Sequence, residues 1–171
     1  LGNSWRAGLV AMVGIAALGV SGCGFKPMYA TQADGSSVAL TLAGIGIPEK
    51  QSRVGQLVRN ALLEKIAPVG QGQNERYRLD FSVAQDEFDV SIEKNTDVNR
   101  RAYTLKSSYA LIDLGSGAQI LEGQTFSRVS YDRVQSEFAN LQALRNAQQR
   151  AAHEVADNIQ IRLGAFFSQG S

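Results

Sequence analysis

Several scarcities narrow what this chain can be. It has one cysteine in 171 residues, which excludes a disulfide framework and a cysteine-based zinc site. It has one histidine, His153, set among Ala and Glu in a helical stretch, where a solvated helix-face position is expected rather than a catalytic base. Neither sign of charge is in excess. There are 17 basic and 16 acidic residues, and all but Arg6 of them lie after residue 22, so the body is formally neutral. That removes the electrostatic reason to expect nucleic-acid binding, which rests on many Lys and Arg contacts to phosphate. A bilayer-spanning run is missing as well. The apolar stretch from Ala7 to Val20 is 14 residues long against the roughly 20 a spanning helix needs, and Gly8, Gly14 and Gly19 weaken it as a helix. No nucleophile-elbow pattern occurs. Gly44-Ile45-Gly46 and Gly70-Gln71-Gly72 lack the spacing and Lys of a phosphate-binding loop and are expected as turns. The acidic set Asp80, Asp86, Glu87, Asp89, Glu93 and Asp97 lies mostly along strands, as solvated or paired charge rather than a metal site. No enzymatic activity and no metal is therefore expected. The apolar content of 44% is too high for a wholly disordered chain and suits one compact domain.

What is present begins with an address. Arg6, the apolar run to Val20 and the small residues Ser21-Gly22 form the successive regions of a secretory signal over residues 1–22. Val20-Ser21-Gly22-Cys23 resembles the bacterial lipobox, in which the thiol is acylated and the signal is then cut so that the Cys becomes the first residue. Cys23 is thus the expected lipidation site, carrying a diacylglycerol and an N-acyl lipid, with no other cofactor. Each buried methylene contributes about 0.8 kcal/mol, and more than one chain gives a stable anchor. Gly24 in place of the Asp that retains lipoproteins at the inner membrane favours, by the same resemblance, the outer membrane. The absence of an initiator Met suggests a slightly longer open reading frame.

Residues 23–37 form a polar tether rich in Gly, Ser, Thr, Asp and Gln, and residues 38–171 a single domain. Val38–Leu42 is β-prone and expected as a first strand before the turn at Gly44 to Gly46. From Pro48 to Ala67, Val54, Leu57, Val58, Ala61, Leu62 and Ile66 recur at helical spacing, and Pro68 and Gly70 stop the helix. Tyr77, Leu79, Phe81 and Val83 alternate as a half-buried strand. Alternation resumes on even positions at Phe88, Val90 and Ile92, which predicts a kink near Gln85. Lys94 to Arg101 is expected as a hairpin loop. Ala102–Leu114 follows as a strand with Tyr103, Leu105, Tyr109 and Leu111 on one face, then a turn at Asp113 to Gly117. Gln119–Tyr131 is the last and least regular strand. Leu141, Leu144, Ala147, Ala151, Val155, Ile159, Leu163 and Phe166 make seven steps over 25 residues, close to the helical period. No internal repeat is visible. The order β-α-β-β-β-α gives an α+β fold, a four-stranded largely antiparallel sheet with two helices packed on one face.

One cluster carries a binding option. Lys94, Arg100, Arg101 and Lys106 surround the expected hairpin loop in an otherwise neutral body, and Lys and Arg there can hold phosphate, Arg bidentately. Glu93 and Asp97 in the same loop can equally neutralise it.

The chain resembles the lipopolysaccharide-assembly lipoproteins of the outer membrane, the LptE family, in the form found in alphaproteobacteria. The resemblance rests on Gly22-Cys23-Gly24-Phe25-Lys26-Pro27-Met28-Tyr29 at the mature start and on Gly55-Gln56-Leu57-Val58-Arg59-Asn60 in the first helix. In the last helix it rests on Arg150-Ala151-Ala152-His153-Glu154-Val155-Ala156-Asp157-Asn158-Ile159 with Arg162-Leu163. With the order of elements it spans nearly the whole mature chain. It implies a non-enzymatic role on the periplasmic face of the outer membrane, where the family member plugs the LptD β-barrel, helps it assemble, and has lipopolysaccharide as a ligand. Lys94 is the position closest to a basic residue that the family ties to lipopolysaccharide after its second strand, and Arg100 and Arg101 join it as candidates. A second basic site at the approach to the last helix has no match here, since Ala139 and Asn140 stand about there, with Arg133 and Arg145 several residues away. The alternative reading is a lipid-anchored periplasmic scaffold of another envelope complex or transporter. A lipid-tethered hydrolase would need a nucleophile and a base in one pocket.

Overall fold

The computed structural model describes residues 38–67, 75–90 and 99–169. The signal segment, Cys23, the tether and Lys94 lie outside the described residues. In chain order the elements are α1 (Val38–Ala43), β1 (Ile45–Gly46), α2 (Arg53–Ile66), β2 (Tyr77–Asp89), β3 (Asn99–Asp113), β4 (Gln119–Arg133) and α3 (Glu137–Gln169). The sheet order is β1-β2-β3-β4, with β1 parallel to β2 and the other pairings antiparallel. The expected α+β class and sheet are present, with one more helix among the described residues than the pattern implied.

That extra helix corrects the first strand. Val38–Leu42 is helical, and the strand lies in the expected turn, at Ile45–Gly46. In a strand, Val38, Leu40 and Leu42 would share a face. In the helix Val38 and Leu42 are buried together at i and i+4, while Leu40 is 69% exposed. Burying two large side chains against the other helices outweighs a β preference that spans only about 1 kcal/mol.

α2 begins at the N-cap Ser52, whose Oγ accepts from the Gly55 N–H at 3.0 Å. It ends at Ala67, before Pro68, which disfavours a helical conformation in the residue it follows. The buried side of α2 carries Val54, Val58, Ala61, Leu62 and Ile66. α3 follows β4 around a corner that Asn140 holds. The Asn140 side chain donates to the Val134 carbonyl at 2.9 Å and accepts from the Val134 N–H at 2.8 Å. From Ala147 to Leu163 the buried residues of α3 keep the period read from the sequence. Ala147, Ala151, Ala152 and Ala156 are buried small residues on the face by which α3 packs against α2 and the sheet, and Leu79, Leu105, Leu111, Val155 and Ile159 belong to the same core. Each large side chain buried there contributes about 1.5–3 kcal/mol.

β2 has no kink at Gln85. Its register with β3 runs unbroken from Tyr77↔Asp113 to Asp89↔Arg101. Odd positions of β2 and β3 therefore face the helices throughout, and Phe88 and Val90 fall on the open face. The single register shift lies between β3 and β4, at Leu111/Ile112. The Asp113 to Gly117 turn is formed as expected. The Asp113 carboxylate accepts from the N–H groups of Gly115 (2.8 Å) and Ser116 (3.0 Å), and Gly117 sits at φ 71°.

Candidate functional site

β2, β3 and β4 extend past the start of α2, where Arg53 reaches Gln148 and Gln148 reaches Gln85, and this far tip of the sheet is where the charged side chains gather. Arg100 and Arg101, expected in a loop, are early residues of β3. Since successive strand residues point to opposite faces, the two guanidinium groups diverge.

Arg101 lies on the helix side. Its Nε donates to Asp89 at 2.6 Å, and its Nη1 lies 3.5 Å from Glu87. Glu87 also accepts from the Tyr131 hydroxyl at 2.7 Å. Burial and the bond to Glu87 raise the Tyr131 pKa, while the Arg101 hydrogen bond lowers that of Asp89 and Asp89 in turn raises that of Arg101. Tyr103, fully buried one step down the strand, donates to the Gln85 Oε1 at 2.9 Å. Gln148 of α3 also donates to Gln85, and Arg53 at the start of α2 donates to Gln148. Burial pushes the Tyr103 hydroxyl up to about 12. A 250 Å³ cleft opens between Arg101, Tyr131 and Arg133 of the sheet and Asn140, Leu141 and Leu144 of α3.

Arg100 lies on the open face, where its Nε donates to Asp132 of β4 at 3.0 Å. Further down that face Lys106 pairs with Asp86 at 3.1 Å, Arg78 with Asp80 at 3.1 Å, and the Arg128 guanidinium stands 5.0 Å from the centre of the Phe88 ring. Ala84, Ala102, Thr104, Ser108 and Ala110 lie between these charges by register. The open face thus interleaves both signs of charge, with the exposed rings of Phe88 and Phe126 among them. No described element covers it.

The three described members of the basic set read from the sequence do not converge. Lys94 is outside the described residues, Arg100 and Lys106 are on one face, and Arg101 is on the other. Of the acidic set, Asp80, Asp86, Glu87 and Asp89 each hold a basic partner. Among the described residues no group of three metal-ligating side chains occurs. The Gln85–Tyr103 and Glu87–Tyr131–Arg101 network was not anticipated. Its signal is the run of polar residues at odd positions 85, 87 and 89, which continues the inward face of Tyr77, Leu79 and Phe81.

No protein-family model and no curated relative matches the chain. Solved structures do. A protein described as a lipoprotein from Caulobacter crescentus CB15 is similar over 77% of this chain and 96% of its own, with 29% identity and a TM-score of 0.66. This body has a lipoprotein fold. A minor lipoprotein from Acinetobacter baumannii is similar in fold alone, at 15% identity and a TM-score of 0.50 over 71% of this chain and 88% of its own. The rare lipoprotein B of Shewanella oneidensis aligns over 73% of this chain and 95% of its own, at 13% identity and a TM-score of 0.47.

Proposed function

We propose that this protein is an outer-membrane lipoprotein of the LptE kind, anchored through Cys23 on the periplasmic side, whose body occupies the lumen of the LptD barrel and helps that barrel assemble. The observation that carries the reading is the likeness in fold and sequence to the Caulobacter lipoprotein, taken with the lipobox and the LptE-like segments. The open sheet face supports it. A barrel interior that holds a protein is polar and mixed in charge, and a face of paired charges between small residues suits such a wall. The role is binding and templating rather than catalysis.

The polarity of the body fits the same picture. The chain enters at Val38, and β1 pairs with the Tyr77 end of β2. Arg100 and Arg101 stand at the opposite end, roughly 40 Å away for a strand of 13 residues at about 3.3 Å each. The charged tip therefore lies at the end of the sheet opposite β1. Lipopolysaccharide is proposed as a ligand of that tip through Lys94, Arg100 and Arg101. Because the last two lie on opposite faces, a phosphate group would meet one or the other, by exchange with Asp132 or with Asp89 and Glu87.

The test is a pull-down of the acylated full-length protein from native membranes, with mass identification of its partners. Recovery of LptD is expected. Recovery of a different envelope complex as the main partner would replace this reading with the scaffold. For the ligand, Arg100→Glu and Arg101→Glu should each weaken binding to purified lipopolysaccharide, and unchanged affinity in both would remove the tip from the proposal.

A further inference from the structure

β4 is an edge strand, and among the described residues nothing pairs beyond it. In an antiparallel ladder, alternate residues direct their N–H and C=O groups to opposite sides. Ser130 shows which set faces outward, because its carbonyl accepts from Arg150 Nη2 of α3 at 3.2 Å. Glu122, Gln124, Phe126 and Arg128 share its parity and present their backbone groups to the open side. The edge is bounded at both ends. Below Leu121 the ladder slips, with Gln119 rather than Ile120 opposite Ile112. Above Arg128 the Arg150 side chain occupies the Ser130 carbonyl. The stretch between, Glu122 to Arg128, has seven residues and Thr125 at its centre. It contains no Pro and no Lys, the residues that usually blunt an edge. A 280 Å³ groove between Gln124 and Thr125 of β4 and Asn158, Ile161 and Arg162 of α3 opens on its middle.

We propose that this stretch is a homodimer interface, in which β4 of a second copy pairs antiparallel across a two-fold axis at Thr125 and continues the sheet from one copy into the other. Backbone parity requires even residues to pair with even ones across the axis, and charge selects among those registers. With the axis at Thr125, Glu122 stands opposite Arg128 of the second copy, twice by symmetry, and Gln124 stands opposite Phe126. An axis at Ser127 would set Glu122 against Asp132 twice. An axis at Gly123 would set Glu122 against Gln124 and lose both opposite-charge pairs, and one at Phe126 would pair Arg128 with Gln124. Opposite charges directly across strands favour pairing and like charges oppose it. The two-fold contact uses the same edge on both copies, so assembly stops at two. The other sheet edge is obstructed, since Lys50 Nζ donates to the Phe81 carbonyl on the outer side of β2 at 2.6 Å. The inference concerns the body free of any barrel and does not rest on the function proposed above.

The full chain, purified with its lipid in detergent, should shift from monomer to dimer with concentration in sedimentation velocity. Two lipid anchors in one micelle could imitate this, so site-specific crosslinking decides. Thr125→Cys faces its own counterpart in a closely spaced pair and should oxidise to a covalent dimer. Ser82→Cys, on the open face of β2, and the unaltered chain should not. Glu122→Arg or Arg128→Glu alone should weaken the dimer about tenfold through two like-charge pairs, and the double exchange should restore it. A monomer at every concentration, equal crosslinking at 82 and 125, or no recovery in the double exchange would each overturn the proposal. Should circular dichroism show a single variant unfolded, the crosslink and the double exchange decide the outcome.

Discussion

The ring of Tyr109 covers Gly123, its register partner on β4: a Cβ at Gly123 would stand 2.5 Å from the Tyr109 hydroxyl and 2.7 Å from its Cζ. The glycine keeps the sheet surface low where an aromatic side chain must cross it, and Tyr109 fills the space the glycine leaves. Gly123→Val would force the ring out of the core. Such overpacking costs about 1–3 kcal/mol, and urea denaturation should show a lowered midpoint with an unchanged slope.

Gly55 in α2 should resist a standard stabilising change. Gly→Ala within a helix ordinarily gains about 1 kcal/mol. Here a Cβ would lie 2.7 Å from the Oγ of the capping Ser52 and 3.0 Å from the Lys50 Cβ. Ser52→Ala removes the cap at a cost of about 1 kcal/mol. Gly55→Ala alone is expected to give no gain, whereas in the Ser52→Ala background, where the Oγ contact is gone and only the Lys50 contact remains, its effect should be more favourable. A double-mutant cycle on thermal unfolding checks this non-additivity.

Tyr103 should mark the alkaline limit of stability. Burial raises its folded pKa from 10.0 to about 12, so the unfolded chain loses the phenolic proton first. The stabilisation is present in full below pH 10 and is lost as pH rises from about 10 to about 12. Absorbance titration of the folded protein should show this phenol ionising last, and Tyr103→Phe should flatten the fall in stability over that window.

Lys50 should protect against aggregation more than it stabilises the fold. It holds the Phe81 carbonyl at the β2 edge and stands 4.4 Å from the centre of the Phe81 ring. Lys50→Ala leaves the side chains packed beneath that edge in place but frees its backbone for pairing. Light scattering on mild heating should rise faster for the variant.

Arg100 should be dispensable for folding. Its pair with Asp132 is solvent-exposed on both sides, and such pairs contribute little. Arg100→Ala is expected to melt as the unaltered protein does, which makes any loss of lipopolysaccharide binding in position-100 variants a property of the site rather than of the fold.

Local periodicity carried much of this structure. The alternation Tyr77, Leu79, Phe81 and the set Tyr103, Leu105, Tyr109, Leu111 specified which strand faces are buried, and the seven helical steps of the last element were legible because side-chain burial repeats with the backbone's own period. The lipobox-like segment at Val20 to Cys23 and the balanced charge were read from the sequence alone. Three things were decided only by tertiary packing. Val38–Leu42 is helical because neighbouring helices cover Val38 and Leu42 and leave Leu40 outside. β2 runs straight through the change of parity because its pairing with β3 holds the register, so polar Gln85, Glu87 and Asp89 meet Tyr103, Tyr131 and Arg101 at and beyond the start of α2. The basic residues read as one cluster separate because Arg100 and Arg101 belong to a strand, whose alternation sends neighbours in sequence to opposite sides of the sheet.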